Sequence, residues 1–129
     1  MTNPENGIQS SVWGPPLWFF LHTMSLNYPL KPTIKDKEHY YNFMLGLQYV
    51  IPCGICRQNF VQNIDKLAFS KKHLRSRSTF SKFMVDLHNL VNRETGKKKI
   101  PYTKAISYYE IFRAGNAKKK CSLVIYNQE

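Results

Sequence analysis

The chain has 129 residues, of which 43% are apolar and 14% aromatic, so it suits one domain with a hydrophobic core and excludes a disordered chain. Lys and Arg number 19 against 8 Asp and Glu, a net charge of +11, and 15 of the 19 lie in residues 66–129. No apolar run reaches the roughly 20 residues that span a bilayer, and we expect no secretory signal at the N-terminus. The basic half predicts an anionic partner: nucleic acid, an acidic membrane surface or a phosphate-bearing cofactor.

Apolar residues recur at helical spacing in the N-terminal half. A first helix is predicted from Ser11, with Pro15 and Pro16 in its first turn, where amide hydrogens lack partners in any case. A second helix is predicted from Asp36 to Tyr49. Its apolar stripe comprises Tyr40, Phe43, Met44, Leu47 and Val50.

The C-terminal half follows the same pattern. A third helix opens at the Cys-x-x-Cys motif, and residues 65–78 indicate a basic, partly irregular connection. A fourth helix is predicted with Ser78 or Thr79 as its N-cap and Gly96 just beyond its C-terminal end. A fifth helix is predicted from Thr103 to Gly115. The pattern predicts an all-α bundle of four or five helices.

Cys53 and Cys56 form the Cys-x-x-Cys motif directly after Pro52. Two intervening residues at a helix start bring both sulfurs within disulfide distance, and the helix N-terminus favours a thiolate. The alternative is half of a zinc site, but its other ligands would have to come from scattered positions: Cys121, His73 and His88. The spacing favours redox chemistry, and we predict no metal.

Two pairs of side chains lie at i, i+4 spacing within predicted helices: Trp18 with His22, and His88 with Asn92. The first pair could form the wall of a cofactor site, although core packing is the simpler interpretation of aromatic residues here. The second pair could hydrogen-bond a planar heteroaromatic ligand, although a solvated polar face is the simpler interpretation of this pair alone. Arg93 and residues 97–99 add cations just beyond it, where they would suit a pyrophosphate.

Three motifs in order make the chain resemble a known family. Residues 13–22 read W-G-P-P-L-W-F-F-L-H, residues 52–56 read P-C-G-I-C, and residues 88–93 read H-N-L-V-N-R, followed by lysines and Tyr102. Order and spacing are similar to those of the Erv/ALR-type FAD-linked sulfhydryl oxidases over roughly residues 11–115. The short length most resembles the small oxidases of large DNA viruses.

The resemblance implies a four-helix bundle with a short fifth helix, FAD at the bundle mouth, and a homodimer. It implies an oxidase domain over residues 11–115, between an N-terminal tail of residues 1–10 and a basic tail of residues 116–129. Cys56 would lie against the isoalloxazine, and Cys53 would exchange with substrate. The FAD contacts implied are Trp13, Trp18, His22, His88, Asn92, Arg93, Lys97, Lys99 and Tyr102.

The implied activity is FAD-dependent oxidation of protein dithiols, or of a thioredoxin-like disulfide carrier, with O2 as acceptor and H2O2 as product. We expect a cytoplasmic protein, in an infected cell or a virion if it is viral. Cys121 has no neighbouring cysteine with which to form a shuttle pair. The alternative function is a basic helical protein that binds nucleic acid, or a zinc-stabilised adaptor, and the motifs favour neither.

Overall fold

A computed structural model describes residues 5–115, which form five α-helices and one short 3₁₀ helix and include no β-strand. The helices are α1 (Ser10–Leu26), α2 (Ile34–Val50), α3 (Gly54–Lys66), α4 (Arg77–Glu94) and α5 (Tyr102–Glu110), with the 3₁₀ helix (Lys71–Leu74) before α4. The all-α prediction of four bundled helices and a short fifth is confirmed. Predictions on residues 116–129, including Cys121, lie outside the described residues.

The two adjacent prolines of α1 lie deeper in the helix than predicted. The helix begins at Ser10, so Pro15 and Pro16 are its sixth and seventh residues and fall outside the first turn. Each removes one amide donor from the helix interior. Both prolines are exposed, so water can reach the backbone on this side of α1.

Helices α2 and α4 begin earlier in the chain than predicted, because a capping box fixes the start of each. Thr33 Oγ1 accepts from the Asp36 amide at 3.0 Å, and Asp36 Oδ2 accepts from the Thr33 amide at 2.9 Å, so α2 starts before Asp36. The cap of α4 is Ser76, whose Oγ accepts from the Thr79 amide at 3.1 Å. The predicted caps Ser78 and Thr79 are wrong because both residues already lie inside the first turn.

The C-terminal ends of α4 and α5 differ in how well they were predicted. Gly96 follows α4 with φ of 76°, the left-handed conformation that glycine adopts freely, and confirms the predicted helix end. Helix α5 ends at Glu110, well before the predicted Gly115. The chain turns there because the Arg113 guanidinium folds back onto the Glu110 carboxylate at 2.7 Å and donates to the Leu26 carbonyl at 2.9 Å.

The core lies between the inner faces of α1, α2 and α4. Its most buried side chains are Leu21, Tyr28, Met44, Leu74, Phe80, Met84 and Leu87. Two residues of the predicted α2 stripe depart from it, since Phe43 is 40% and Val50 is 68% exposed. Phe43 lies beside the buried stripe and contacts Phe20 at its outer edge, and Val50 is the last residue of α2.

The basic connection between α3 and α4 is more ordered than predicted. Phe69 and Leu74 are buried, and the Tyr28 hydroxyl donates to the Leu74 carbonyl at 2.6 Å. The Arg77 Nε also donates to the Tyr28 carbonyl at 2.6 Å, which ties the end of α1 to the start of α4. A sequence rich in Lys and Arg therefore still contributes two core side chains.

The bundle has two distinct ends, separated by α1, which is about 25 Å long. At one end the Ile8 amide donates to the Pro52 carbonyl at 2.8 Å, next to the Cys-x-x-Cys motif; we call this the disulfide end. At the other end Tyr28 meets Leu74; we call this the far end. Within residues 5–115, no helix has the length and apolar character needed to cross a membrane.

Candidate active site

Cys53 and Cys56 are joined by a disulfide at the start of α3, with their Cα atoms 5.1 Å apart. Cys53 is the N-cap of the helix, and its sulfur accepts a hydrogen bond from the Cys56 amide at 3.2 Å. Cys56 packs against the hydrophobic core, whereas Ile55 between the two cysteines is 65% exposed. The motif therefore presents a disulfide whose first sulfur sits at the positive end of a helix dipole.

The backbone before the disulfide is fixed by one carbonyl. Ile51 is 6% exposed, and its carbonyl accepts from the Cys53 amide at 2.8 Å and from Arg57 Nη1 at 2.7 Å. Because Arg57 uses its guanidinium in this contact, the cation supports the turn that carries Cys53.

A second group of side chains comes together from α1, α4 and α5. We call it the histidine-pair cluster, and it comprises Trp18, His22, His88 and Tyr109. The Trp18 and His88 rings stack with centroids 3.9 Å apart and planes within 2°. His22 Nε2 and His88 Nδ1 are 2.8 Å apart and share a hydrogen bond, and the Tyr109 ring stacks on His22 at 4.6 Å.

Both histidines of this cluster are neutral at pH 7. Burial, helped by the nearby His88, lowers the pKa of His22 to about 3. Burial, helped by the charge of Lys97, lowers the pKa of His88 to about 4. One imidazole therefore donates its N–H to the other, and the cluster presents flat, uncharged rings.

Trp13 lies apart from this cluster, on the side of the disulfide. Its indole N–H donates to the Ile8 carbonyl at 2.7 Å, and the Ile8 amide in turn bonds to Pro52. Two hydrogen bonds thus connect Trp13 with the residue that precedes Cys53.

The loop after α4 is held by Asn89. Its side-chain amide donates to the Ile100 carbonyl and accepts from the Ile100 amide, both at 2.9 Å. Asn92 is buried, and its carbonyl accepts from the Lys97 amide at 2.7 Å. The charge of Lys97 reaches the cluster, because it helps to lower the pKa of His88.

The other predicted cofactor contacts lie around this loop. Arg93 and Lys99 are exposed. Tyr102 begins α5, and its hydroxyl lies 3.1 Å from Ser81 Oγ. Ser81 is two turns of α4 before His88, about 10 Å away along the helix, so Tyr102 contacts a different part of α4.

The sequence interpretation missed two residues of this region. Tyr109 was not assigned, although it lies one helical turn after Ala105, the buried residue of α5. Asn89 lies within the H-N-L-V-N-R motif, from which the sequence interpretation predicts no role for it. Its position between His88 and Asn92 is the one feature of the sequence that indicates a role for Asn89. The sequence does not indicate that its hydrogen-bond partner is Ile100.

The side chains present fit a flavin dinucleotide. Trp18 and Tyr109 offer flat faces for a planar ring system, and the neutral imidazole pair offers hydrogen-bonding edges. Arg93 and Lys97 supply exposed cations suited to a pyrophosphate. Within the described part of the chain, no group of three or more His, Cys, Asp or Glu side chains is placed to hold a metal ion.

Comparison with known proteins points the same way. The Erv1/Alr family matches residues 15–110. The chain is 41% identical over 110 residues to a probable FAD-linked sulfhydryl oxidase of Acanthamoeba polyphaga mimivirus, covering 85% of this chain and 76% of that protein. It is 30% identical over 98 residues to a putative FAD-linked sulfhydryl oxidase of Invertebrate iridescent virus 6, covering 73% of this chain and 88% of the relative.

The fold is also that of a solved structure. The core of yeast Erv1 superimposes with a TM-score of 0.74 at 22% identity, covering 88% of this chain and 94% of the other. At this identity the likeness concerns the fold alone. Together with the match over residues 15–110, it shows that the chain belongs to the Erv1/Alr family.

Proposed function

We infer that this protein is a FAD-dependent sulfhydryl oxidase that forms disulfide bonds in protein thiols, and we propose that Cys53 and Cys56 are its redox-active pair. The observation that carries this assignment is the disulfide between them at the N-terminus of α3. The two viral relatives named above are FAD-linked sulfhydryl oxidases, which supports the same chemistry here.

Cys53 is the sulfur that substrate attacks in this proposal. A substrate thiolate forms a bond to Cys53, and the Cys53–Cys56 bond breaks with Cys56 leaving as the thiolate. A second substrate thiolate then attacks the mixed disulfide, releases oxidised substrate and leaves Cys53 as a thiolate. Two substrate thiols thus lose two electrons and two protons, and the protein disulfide becomes a dithiol.

The N-terminus of α3 supports this step electrostatically. The Cys56 amide that points at Cys53 Sγ at 3.2 Å stabilises negative charge on that sulfur once the disulfide opens. Cys56, packed against the core, is the better placed of the two to face a cofactor. When FAD is bound, it supplies the acceptor for the two electrons of the dithiol, which pass to O2 to give H2O2.

We propose that the histidine-pair cluster and the loop after α4 hold the cofactor. Trp18 and Tyr109 pack against its rings, His22 and His88 contribute neutral hydrogen-bonding edges, and Lys97 neutralises phosphate. The remaining proposed contacts are Trp13, Asn92, Arg93, Lys99 and Tyr102. Asn89 acts through the loop that it latches to Ile100, and so it is a positioning residue.

Partners and setting follow from the same chemistry. We propose that the substrates are protein dithiols, delivered directly or through a thioredoxin-like carrier, and that O2 is the final electron acceptor. A cytoplasmic setting in an infected cell or virion stays a prediction, and so does the division of the chain at residues 10 and 115.

A homodimer is the proposed assembly. Phe20 of α1 and Phe43 of α2 are 52% and 40% exposed, and their rings meet at 6.1 Å on the outer surface of the bundle. An exposed pair of aromatic rings is a suitable centre for an apolar interface with a second copy. Phe20→Ser with Phe43→Ser should shift the protein towards monomer in sedimentation, with FAD still bound.

The active pair is tested by single serine substitutions in the purified, yellow protein. Cys56→Ser should abolish turnover of reduced protein substrates while FAD stays bound, as measured by oxygen consumption and by the flavin spectrum. Cys53→Ser should block exchange with substrate and leave Cys56 near the flavin, which a long-wavelength absorbance band would show. Cys121→Ser is the matched control and should retain turnover; an active Cys56→Ser protein would contradict the assignment.

A further inference from the structure

The segment before α1 lies directly against the backbone of the disulfide motif. We call residues Gly7, Ile8 and Gln9 the strap. The Ile8 amide donates to the Pro52 carbonyl at 2.8 Å, and the Ile8 carbonyl accepts from the Trp13 indole at 2.7 Å. The strap is therefore fixed on both sides, by the residue before Cys53 and by α1.

Gly7 is the point of closest approach. A Cβ placed on Gly7 would lie 2.5 Å from the Pro52 carbonyl oxygen, 2.6 Å from Cys53 Cα and 3.2 Å from Cys53 Cβ. Two of these three atoms belong to the backbone and cannot rotate away. Since the φ of Gly7 is not positive, glycine is needed here for space and not for its conformational freedom.

We propose that the strap is one wall of the thiol-exchange site and selects among thiols by size. It covers the Cα and Cβ side of Cys53, whereas the side of Ile55, which is 65% exposed, stays open. A bulky thiol reaches Cys53 from the open side alone, and a small reagent is less restricted. Gly7 and Ile8 thus determine specificity by holding the strap against Cys53. This inference rests on the proposed function only in taking Cys53 as the sulfur that exchanges with substrate.

The test measures access to Cys53 without oxidase turnover. In a Cys56→Ser, Cys121→Ser background, Cys53 is the sole thiol of the full-length, FAD-loaded protein. Its rate of alkylation is measured with iodoacetamide, which is small, and with a polyethylene-glycol maleimide, which is bulky. With iodoacetamide the Cys53 thiolate forms a sulfur–carbon bond as the carbon–iodine bond breaks and iodide leaves. With the maleimide it adds to the carbon–carbon double bond, and the other carbon takes a proton from water, so neither reaction needs an electron acceptor.

Displacing the strap should raise the ratio of the bulky to the small rate. Gly7→Ala forces the strap off Cys53, and we expect the ratio to rise about fivefold, which corresponds to about 1 kcal/mol in the barrier. Ile8→Pro removes the amide donor to Pro52 by a different route and should produce the same rise. The controls are Ile8→Val, which keeps the donor, and Gly115→Ala, where a Cβ meets nothing within 4 Å.

A raised ratio in both strap variants, with both controls at the wild-type ratio and an unchanged thermal unfolding midpoint, supports the wall. An unchanged or lowered ratio in Ile8→Pro overturns it, whether or not Gly7→Ala folds. Because alkylation needs no flavin reduction, this result is independent of oxidase activity. Failure of the oxidase assignment would instead appear as turnover that survives Cys56→Ser.

Discussion

Two clusters of aromatic rings around histidine lie at different levels of this bundle, and they differ in what satisfies the histidine. The histidine-pair cluster comprises Trp18, His22, His88 and Tyr109. The other, which we call the far-end cluster, comprises Tyr41, Phe69, His73 and Phe83. His73 stacks near Phe69 with centroids at 5.8 Å and meets Phe83 at 4.9 Å, so ring packing alone does not distinguish the two clusters.

Hydrogen bonding does distinguish them. His73 Nδ1 accepts from the Ser70 amide at 3.1 Å and completes the capping box of the 3₁₀ helix, so its partner is its own backbone. His22 and His88 have each other across 66 residues of chain. Burial lowers the pKa of all three imidazoles. The capping box accounts for His73 structurally, whereas the pair of His22 and His88, flanked by Trp18 and Tyr109, is the one for which we propose a flat ligand.

Charge distinguishes the two clusters as well. At the far end, a groove of about 330 Å³ is lined by Lys72, Arg75 and Lys82 around His73, and Asp86, paired with Lys82 at 3.1 Å, supplies its acid. The histidine-pair cluster is uncharged itself and has Lys97 nearby. Three of the basic side chains therefore lie where the proposed redox chemistry does not use them.

The largest effect is expected for FAD binding, when a histidine of the histidine-pair cluster is replaced and compared with a matched replacement in the far-end cluster. His88→Ala removes the stack on Trp18 and leaves His22 buried without its hydrogen-bond partner. We expect the dissociation constant for FAD to rise about 100-fold, or about 2.7 kcal/mol. The measurement is flavin fluorescence during titration of the apoprotein with FAD.

His73→Ala is the matched variant at the far end. It should lower the thermal unfolding midpoint, since it removes the side-chain acceptor of a capping box and a half-buried ring, but folded protein should bind FAD with wild-type affinity. Equal loss of FAD affinity in both variants would erase the distinction drawn between the clusters.

Acidification should show the next largest effect, on the free energy of unfolding. The pKa values of His22 and His88 fall from 6.5 in the unfolded chain to about 3 and about 4 in the fold. Between pH 6.5 and 4 the unfolded chain therefore binds protons that the folded chain does not. Stability is fully present above pH 6.5 and falls as the pH drops, by about 1.4 kcal/mol per pH unit for the buried His22 and less for the half-buried His88.

Chemical denaturation at pH 7, 6 and 5 measures this slope. His22→Asn should flatten it, because the variant no longer has a neutral imidazole to protonate at this position. His39→Asn is the control, because His39 is exposed on α2, and it should keep the wild-type slope. A wild-type slope in the His22→Asn protein would place the pH dependence elsewhere.

A smaller effect is expected from the loop beside the histidine-pair cluster. Asn89→Ala removes both hydrogen bonds to Ile100 and should loosen the residues that carry Lys97. We expect FAD affinity to fall about tenfold, near 1.4 kcal/mol. Tyr102→Phe loses one contact, with Ser81, and should fall less; a larger loss in Tyr102→Phe would show that the latch at Asn89 does not position the loop.

Much of the fold was predictable because the helical spacing of apolar residues can be read directly from the sequence. The helical period of α4 selects Phe80, Phe83, Met84, Leu87, Leu90 and Val91, of which the first four are buried and the last two are half-buried. The start of α4 was predicted wrongly because several neighbouring Ser and Thr residues could serve as the N-cap. The fold selects Ser76, and the sequence does not distinguish it from the others. The positions of Pro15 and Pro16 within α1 were also predicted wrongly. Proline favours the first turn of a helix, but these two residues lie further inside α1, on an exposed face where water can reach the backbone.

The candidate site was predictable where motifs carry it and not where contacts cross the chain. The cysteine pair needs only its spacing, and the structure joins it by a disulfide. The pairing of His22 with His88 depends on how α1 packs on α4, which spacing within one helix does not contain. The contact of Gly7 with Cys53 joins a predicted tail to the active pair, and a glycine near an N-terminus carries no sign of it.

The smallest predicted effect compares one lysine beside each of the two clusters. Lys97→Gln removes a charge whose field reaches His88, and should weaken FAD binding about threefold, since one exposed cation beside a phosphate contributes under about 1 kcal/mol. Lys72→Gln removes a charge from the groove beside His73 and should leave FAD affinity and turnover of dithiothreitol unchanged. Titration at low and high salt separates the variants further, because screening should shrink the difference between Lys97→Gln and wild type. If Lys72→Gln weakened FAD binding as much as Lys97→Gln, net charge would act on the cofactor from anywhere on the surface, and the two clusters would not be electrostatically separate.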